Sequence, residues 1–137
     1  MSIRYQSDLQ GITPERLEGF FAGWPNPPSP ATHLRLLTGS AYVELAVATA
    51  TGQVVGFINA LSDGLLMAYI PLLEVLPGYQ GQGIGAALVA RLLVRLEHFY
   101  AIDLLCDVDV QSFYARLGMQ PATGMLVRHY ERQSGIG

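Results

Sequence analysis

The segment Gln80-Gly81-Gln82-Gly83-Ile84-Gly85 constrains this chain more than any other. It joins an apolar stretch, residues 65–76, to a stretch whose apolar residues Ile84, Leu88, Leu92 and Leu96 recur at every fourth position. The first reads as a strand and the second as a helix over 84–97. No Ser, Thr, Asp or Asn stands at the helix start, so its first N–H groups lack a side-chain acceptor. Alternate glycines let a ligand approach the backbone closely. Free N–H groups and the helix dipole then favour a phosphate or pyrophosphate. The plain alternative is a tight strand-to-helix turn.

The choice of phosphate ligand is narrowed by what is missing. All eight basic residues are arginines, so the lysine of a triphosphate-binding loop is absent and Schiff-base chemistry is excluded. The formal charge is −3 and no basic cluster occurs, which argues against a nucleic-acid partner. No apolar run approaches the ~20 residues of a membrane span. The N-terminal residues lack the apolar core of a signal peptide, so a cytoplasmic location is the expectation. Cys106 is the only cysteine, which leaves no internal disulfide.

The 137 residues fit a single domain, 1–137, and half of them are hydrophobic, enough for a core. Ile3–Gln6 suits a short strand. Thr13-Pro14-Glu15 reads as a helix start, with Leu17, Phe20, Phe21 and Trp24 on one face. A proline-rich loop follows, then a second helix from Ser29-Pro30 to about Thr38. Strands are expected at Tyr42–Ala48, 54–61 and 65–76, with Ser62-Asp63-Gly64 as a tight turn. Pro71 cannot donate a ladder hydrogen bond, so a bulge or an unpaired edge is expected beside it. A strand at 102–106, a short helix capped by Asp109 and ended by Gly118, and a last strand at 125–130 complete the chain. This order predicts an α/β (α+β) domain: one mixed central β-sheet flanked by helices.

Gly81-x-Gly83-x-x-Ala86 also fits a dinucleotide fingerprint, with Asp103 near the ribose position. Two helices and a three-strand meander precede it, however, and only a short tail follows. Gln80-Gly81-Gln82-Gly83-Ile84-Gly85 instead resembles the cofactor motif of the GNAT superfamily of N-acetyltransferases, Gln/Arg-x-x-Gly-x-Gly/Ala. Phe113-Tyr114-Ala115-Arg116-Leu117-Gly118-Met119 resembles the Phe-Tyr-x-x-x-Gly-Phe segment of that family. The order of elements is similar along nearly the whole chain.

The resemblance implies direct acetyl transfer from acetyl-coenzyme A to an amine, borne by a small molecule or a peptide. It implies a pyrophosphate on the amides of Gly81, Gln82, Gly83, Ile84, Gly85 and Ala86, with Gln80 at the motif's first position. The pantetheine arm would lie between the strand ending at Leu76 and the strand at 102–106. Main-chain groups of Leu73 and Val75 would pair with it, and the Leu73 amide would polarise the thioester carbonyl. Asp107 stands where relatives often carry an Asn near the pantetheine. The acceptor would be held by the first two helices and their connection, where Trp24 is either a lid or part of a stiff connector. Relatives dimerise in several ways, so a homodimer is open. The chain departs from some relatives by carrying Tyr69 where they have a glutamate base.

Tyr114 matches the position that often protonates the leaving thiolate, and its phenol donates without bringing charge into an apolar groove. Its alternative is a core tyrosine. Glu74 is the only acid between Asp63 and Glu97 and lies in an apolar strand. It suits a general base or a structural partner equally. Cys106 reads as a buried thiol, His33, His98 and His129 as surface or ordinary hydrogen-bonding residues without metal spacing, and Arg91 and Arg95 as a solvated helix face. Net acidity mildly favours a cationic acceptor. A non-catalytic acyl-coenzyme A sensor and a small dinucleotide-binding domain are the rival readings.

Overall fold

The computed structural model describes residues 2–136. Six strands form one mixed sheet: β1 (Ile3–Gln6), β2 (Tyr42–Ala48), β3 (Val54–Ser62), β4 (Met67–Tyr69), β5 (Leu73–Val75) and β6 (Ala101–Asp103). The strands are ordered β1-β2-β3-β4-β6, with β5 paired to β3. All pairs are antiparallel except β4 with β6. Three helices flank the sheet: α1 (Pro30–Thr38), α2 (Ile84–Arg95) and α3 (Gln111–Ala115).

The side-chain alternation of β2 creates two cores. Val43, Leu45 and Val47 face a cluster built with Leu17, Phe20, Phe21, Leu37 and Phe57. Ala46 and Ala48 face the opposite cluster, where Ile84, Leu88, Val89 and Leu92 of α2 pack on Ile58 and Ala60. Each large residue buried here contributes about 1.5–3 kcal/mol. The helix lies so close to β3 that a Cβ on Gly56 would meet Ile84 and Leu88 at 3.1 Å.

The expected strand over 65–76 is split at Pro71. Leu61 pairs with Tyr69 and Ile58 with Leu73, so three steps along β3 match four along this segment. The extra residue is the irregularity that proline demanded. Upstream, β4 pairs with β6, and the last rung is Ile70 N–H to Asp103 O at 2.9 Å. Downstream, β5 pairs with β3 alone, and its other edge is open.

Four expectations are corrected. The helix beginning at Pro14 ends as a 3-10 turn at Leu17, with no side-chain cap from Thr13. Gly19 has φ +96° and Phe21 φ +64°, neither compatible with a continuing right-handed helix. Leu17, Phe20 and Phe21 are still buried, but Trp24 is not. Residues 120–129 form no strand; Met125 and Val127 are 95% and 79% exposed, and no sheet edge pairs with them. Strand β6 stops at Asp103, which leaves Cys106 exposed instead of buried. Asp109 makes no cap; it lies within a 3-10 turn, Val108–Val110, that leads into α3.

Arg91 and Arg95 are not a free solvated face. Glu44, fully buried on the α2 side of β2, accepts from Arg91 Nε at 3.1 Å and Arg95 Nη1 at 2.6 Å. Arg95 also donates to Val43 O at 2.8 Å, and the two guanidinium groups lie over the rings of Tyr5 and Tyr42. Two cations thus compensate one desolvated carboxylate and tie α2 to β2. Glu44→Ala removes the buried carboxylate and frees two part-exposed arginines from β2. It is expected to lower stability by about 2 kcal/mol, read as an earlier urea midpoint with an unchanged slope. Arg91→Ala, which leaves Arg95 in place, should cost less.

Candidate functional site

The site begins with the open edge of β5. Asn59 N–H donates to Leu72 O at 3.3 Å, and Leu76 N–H to Val55 O at 2.8 Å. Antiparallel pairing alternates, so residues 72, 74 and 76 spend their main-chain groups on β3. The main-chain groups of Leu73 and Val75 therefore face away from β3, into the gap that opens below the Ile70–Asp103 rung. Gln80 closes the lower end, its Nε2 donating to Val75 O at 3.0 Å.

Beyond Gln80 the chain enters the glycine loop. Gly81 and Gly83 have φ +78° and +83°, a conformation that glycine adopts without strain, and a Cβ on either would meet nothing within 4 Å. Gly83 is the N-cap of α2 and supplies no side chain. The first helical bond from this end is Ala87 N–H to Gly83 O. The N–H groups of Gly81, Gln82, Gly83, Ile84, Gly85 and Ala86 have no partner among the described residues. Ile84 buries its side chain in the α2 core, so only its backbone is available. A Cβ on Gly85 would stand 3.6 Å from the ring of Phe113 and 3.8 Å from Val75. Phe113 thereby fixes α3 against the start of α2.

Tyr114 follows on α3, its ring 4.9 Å from that of Phe113. It is half-buried and lines a groove of about 690 Å³ together with Tyr69, Asp103 and Cys106. Burial, and secondarily the charge a Cys106 thiolate would carry, raise its pKa above the usual phenol value. The hydroxyl stays protonated at neutral pH and can donate. Asp107 is exposed at the start of the 3-10 turn, with no side-chain cap bond, and does not line the groove.

Glu74 points through the opposite face of β5. Both carboxylate oxygens accept from Phe21 N–H, at 2.8 and 3.0 Å. This contact holds Phe21 at its positive φ and anchors the loop after the first 3-10 turn to the strand. The Phe21 ring lies 4.8 Å from Trp24, and both line a second cavity with Thr32, Arg35, Leu36 and Leu72. The sequence offered no signal for this pairing, 53 residues apart; Gly19 and Gly23, which flank Phe20-Phe21, are the signal that could have shown the helix break.

His33 was expected at the surface or in ordinary hydrogen bonds. It is 1% exposed, among the rings of Phe20, Phe21 and Phe57, and neither ring nitrogen has a partner.

The Acetyltransferase (GNAT) family model matches residues 9–119. The chain belongs to the GNAT family of acetyltransferases. It is 50% identical, with a TM-score of 0.94, to a crystallised acetyltransferase candidate from Deinococcus radiodurans R1, over 98% of this chain and 94% of that one. A GNAT family protein, SP0256, from Streptococcus pneumoniae TIGR4 is 27% identical with a TM-score of 0.74, over 93% of this chain and 98% of that one. Among curated relatives, Uncharacterized N-acetyltransferase ycf52 from Pyropia yezoensis is 31% identical over 70% of this chain and 57% of its own length. The chain spans between about a third and just over half of the first such relatives. GNAT membership and the mixed sheet agree with the reading of the two sequence motifs.

Burial lowers the pKa of His33 to about 4. The unfolded chain protonates near pH 6.5, before the folded chain does, so this term stabilises fully above pH 6.5 and is lost as the pH falls toward 4. The expected loss is roughly 3 kcal/mol. Urea unfolding across that range should show a steep fall for the native chain and a shallower one for His33→Leu.

Proposed function

We propose that this GNAT domain is an acetyl-coenzyme A-dependent N-acetyltransferase that moves the acetyl group directly to an acceptor amine. The observation that carries this reading is a continuous run of main-chain groups without main-chain partners. The open edge of β5, where the Val75 carbonyl accepts only from the Gln80 side chain, leads into six unpartnered amides from Gly81 to Ala86. An amide-bearing arm that ends in a pyrophosphate suits that run in order and in chemistry. The glycines leave the space such a group needs.

The residues then divide the work. The Leu73 N–H, free of β3, donates to the thioester carbonyl oxygen as it gains charge. The amine forms a C–N bond while the C–S bond breaks. Tyr114 gives its phenolic proton to the departing sulfur. Glu74, whose oxygens keep further lone pairs beyond those on Phe21 N–H, accepts the proton lost by nitrogen. Asp107, which is exposed, is assigned to the neighbourhood of the pantetheine arm by the motif resemblance alone.

The deciding experiment is coenzyme A release from acetyl-coenzyme A with a panel of amines. Amine-dependent release is expected. A stability shift with acetyl-coenzyme A but no release with any amine would favour a sensing module, and a shift with NAD alone would favour a dinucleotide domain.

Tyr114→Phe is expected to keep the fold and the cofactor-induced stability shift while slowing turnover about a hundredfold. Unchanged turnover would remove Tyr114 as the acid. Glu74→Gln retains an oxygen for Phe21 N–H but cannot accept the proton. Its kcat should fall at least about tenfold with its Tm nearly preserved. A fall in Tm without a specific loss of kcat would assign Glu74 to anchoring the loop.

A further inference from the structure

The second cavity carries information about the acceptor. Its walls come from four places in the chain: Phe21, Trp24 and Pro28 of the proline-rich loop; Thr32, Arg35 and Leu36 of α1; Leu72 before β5; and Gln133 and Gly135 near the C-terminus. These walls are tied together. Asn26 N–H donates to Gln133 Oε1 at 3.0 Å, and Asn26 Nδ2 donates to Tyr130 O at 3.3 Å. Glu74 pins Phe21 to β5, as described above. A non-glycine residue held at positive φ marks backbone strain, which concentrates at ligand clamps and active sites.

The cavity measures about 380 Å³, the low end for a small-molecule site. Leu72 in its wall directly precedes Leu73, whose amide is the carbonyl donor of the mechanism, so the cavity and the open edge meet at the same short strand. Its chemistry is one-sided. The lining is mainly aromatic and aliphatic, with Thr32 and Gln133 as neutral polar residues and Arg35 as the one charged residue among the described residues. Arg35 makes no ion pair and no side-chain hydrogen bond among the described residues. Among the described residues, no carboxylate side chain lines the cavity.

A polyamine or other polycation would meet an arginine here and nothing to neutralise it. An amine that also bears a carboxylate would place that carboxylate on the guanidinium fork and an apolar substituent against Phe21, Trp24 and Leu36. We propose that the acceptor is a zwitterionic, amino-acid-like amine with an apolar side group, its carboxylate held by Arg35. This rests on the acetyl-transfer reading above, and it reverses the mild preference for a cationic acceptor that net charge suggested.

The test compares three acceptors on the native chain and on Arg35→Met: phenylalanine, phenylalanine amide and spermidine. The native chain should use phenylalanine at least about tenfold better than its amide, in kcat/KM and mainly through KM, and should use spermidine least. Arg35→Met should bring the phenylalanine-to-amide ratio to near one, and Arg35→Lys should restore part of it. A preference for spermidine or for the amide, or a ratio unmoved by Arg35→Met, overturns the proposal. Calorimetric binding of phenylalanine separates this from a failure of catalysis. Binding that is lost in Arg35→Met, without turnover, supports the pocket and sinks the transferase reading. Absence of both binding and turnover with phenylalanine overturns the pocket.

Discussion

Everything about the site depends on one missing hydrogen-bond donor. Pro71 cannot contribute an N–H to the sheet, and the chain around it carries one residue more than β3 can match. The segment 67–75 therefore changes allegiance part-way. Its first half joins β3 to β6, and its second half stays on β3 while β6 departs. An unbroken strand would pair along its whole length on both sides and leave no edge for a ligand. Under the proposed function, the ordinary penalty of an open edge, unsatisfied main-chain groups, becomes a means of recognition.

The rest of the fold holds this opening in place. Below it, α2 is fixed to β2 by Glu44 with Arg91 and Arg95, and to β3 by the missing side chain of Gly56. Above it, Phe113 closes on Gly85 and sets the position of Tyr114. On the other face, Glu74 fastens the Phe21 loop to the same short strand. The glycine loop is thus positioned by packing, and its own residues remain available for contact through the backbone.

The parts legible in the sequence were those written in local periodicity or punctuation. Period-four apolar residues gave α2, Ser29-Pro30 gave the start of α1, alternation and turn residues gave β2 and β3, and Pro71 announced the irregular strand. The glycine loop was legible because its meaning is local: backbone freedom beside an uncapped helix. What escaped depended on partners distant in sequence. Glu44 is 47 residues from Arg91, and Glu74 is 53 from Phe21. Nothing near either glutamate distinguishes a paired carboxylate from a solvated one. Residues 125–130 failed for a related reason. Their composition suits a strand, but a strand exists only beside another edge, and the fold brings none to them. Cys106 was misjudged through the same error, since the assumed length of β6 decided its burial.

The short strand β5 has an edge, two faces and a paired side, and each has a separate assignment. In the proposed reading the open edge serves the acetyl donor, while the face bearing Leu73 and Val75 packs on the α2 core and the face bearing Leu72 and Glu74 meets the aromatic loop and its cavity. Such a division separates inheritance of the two halves of the site. Substitutions in the loop from Gly19 to Pro28 and along α1 can re-shape one chamber while the backbone contacts of the other stay untouched. A fold of this kind can diversify what it modifies without having to reinvent how it is charged.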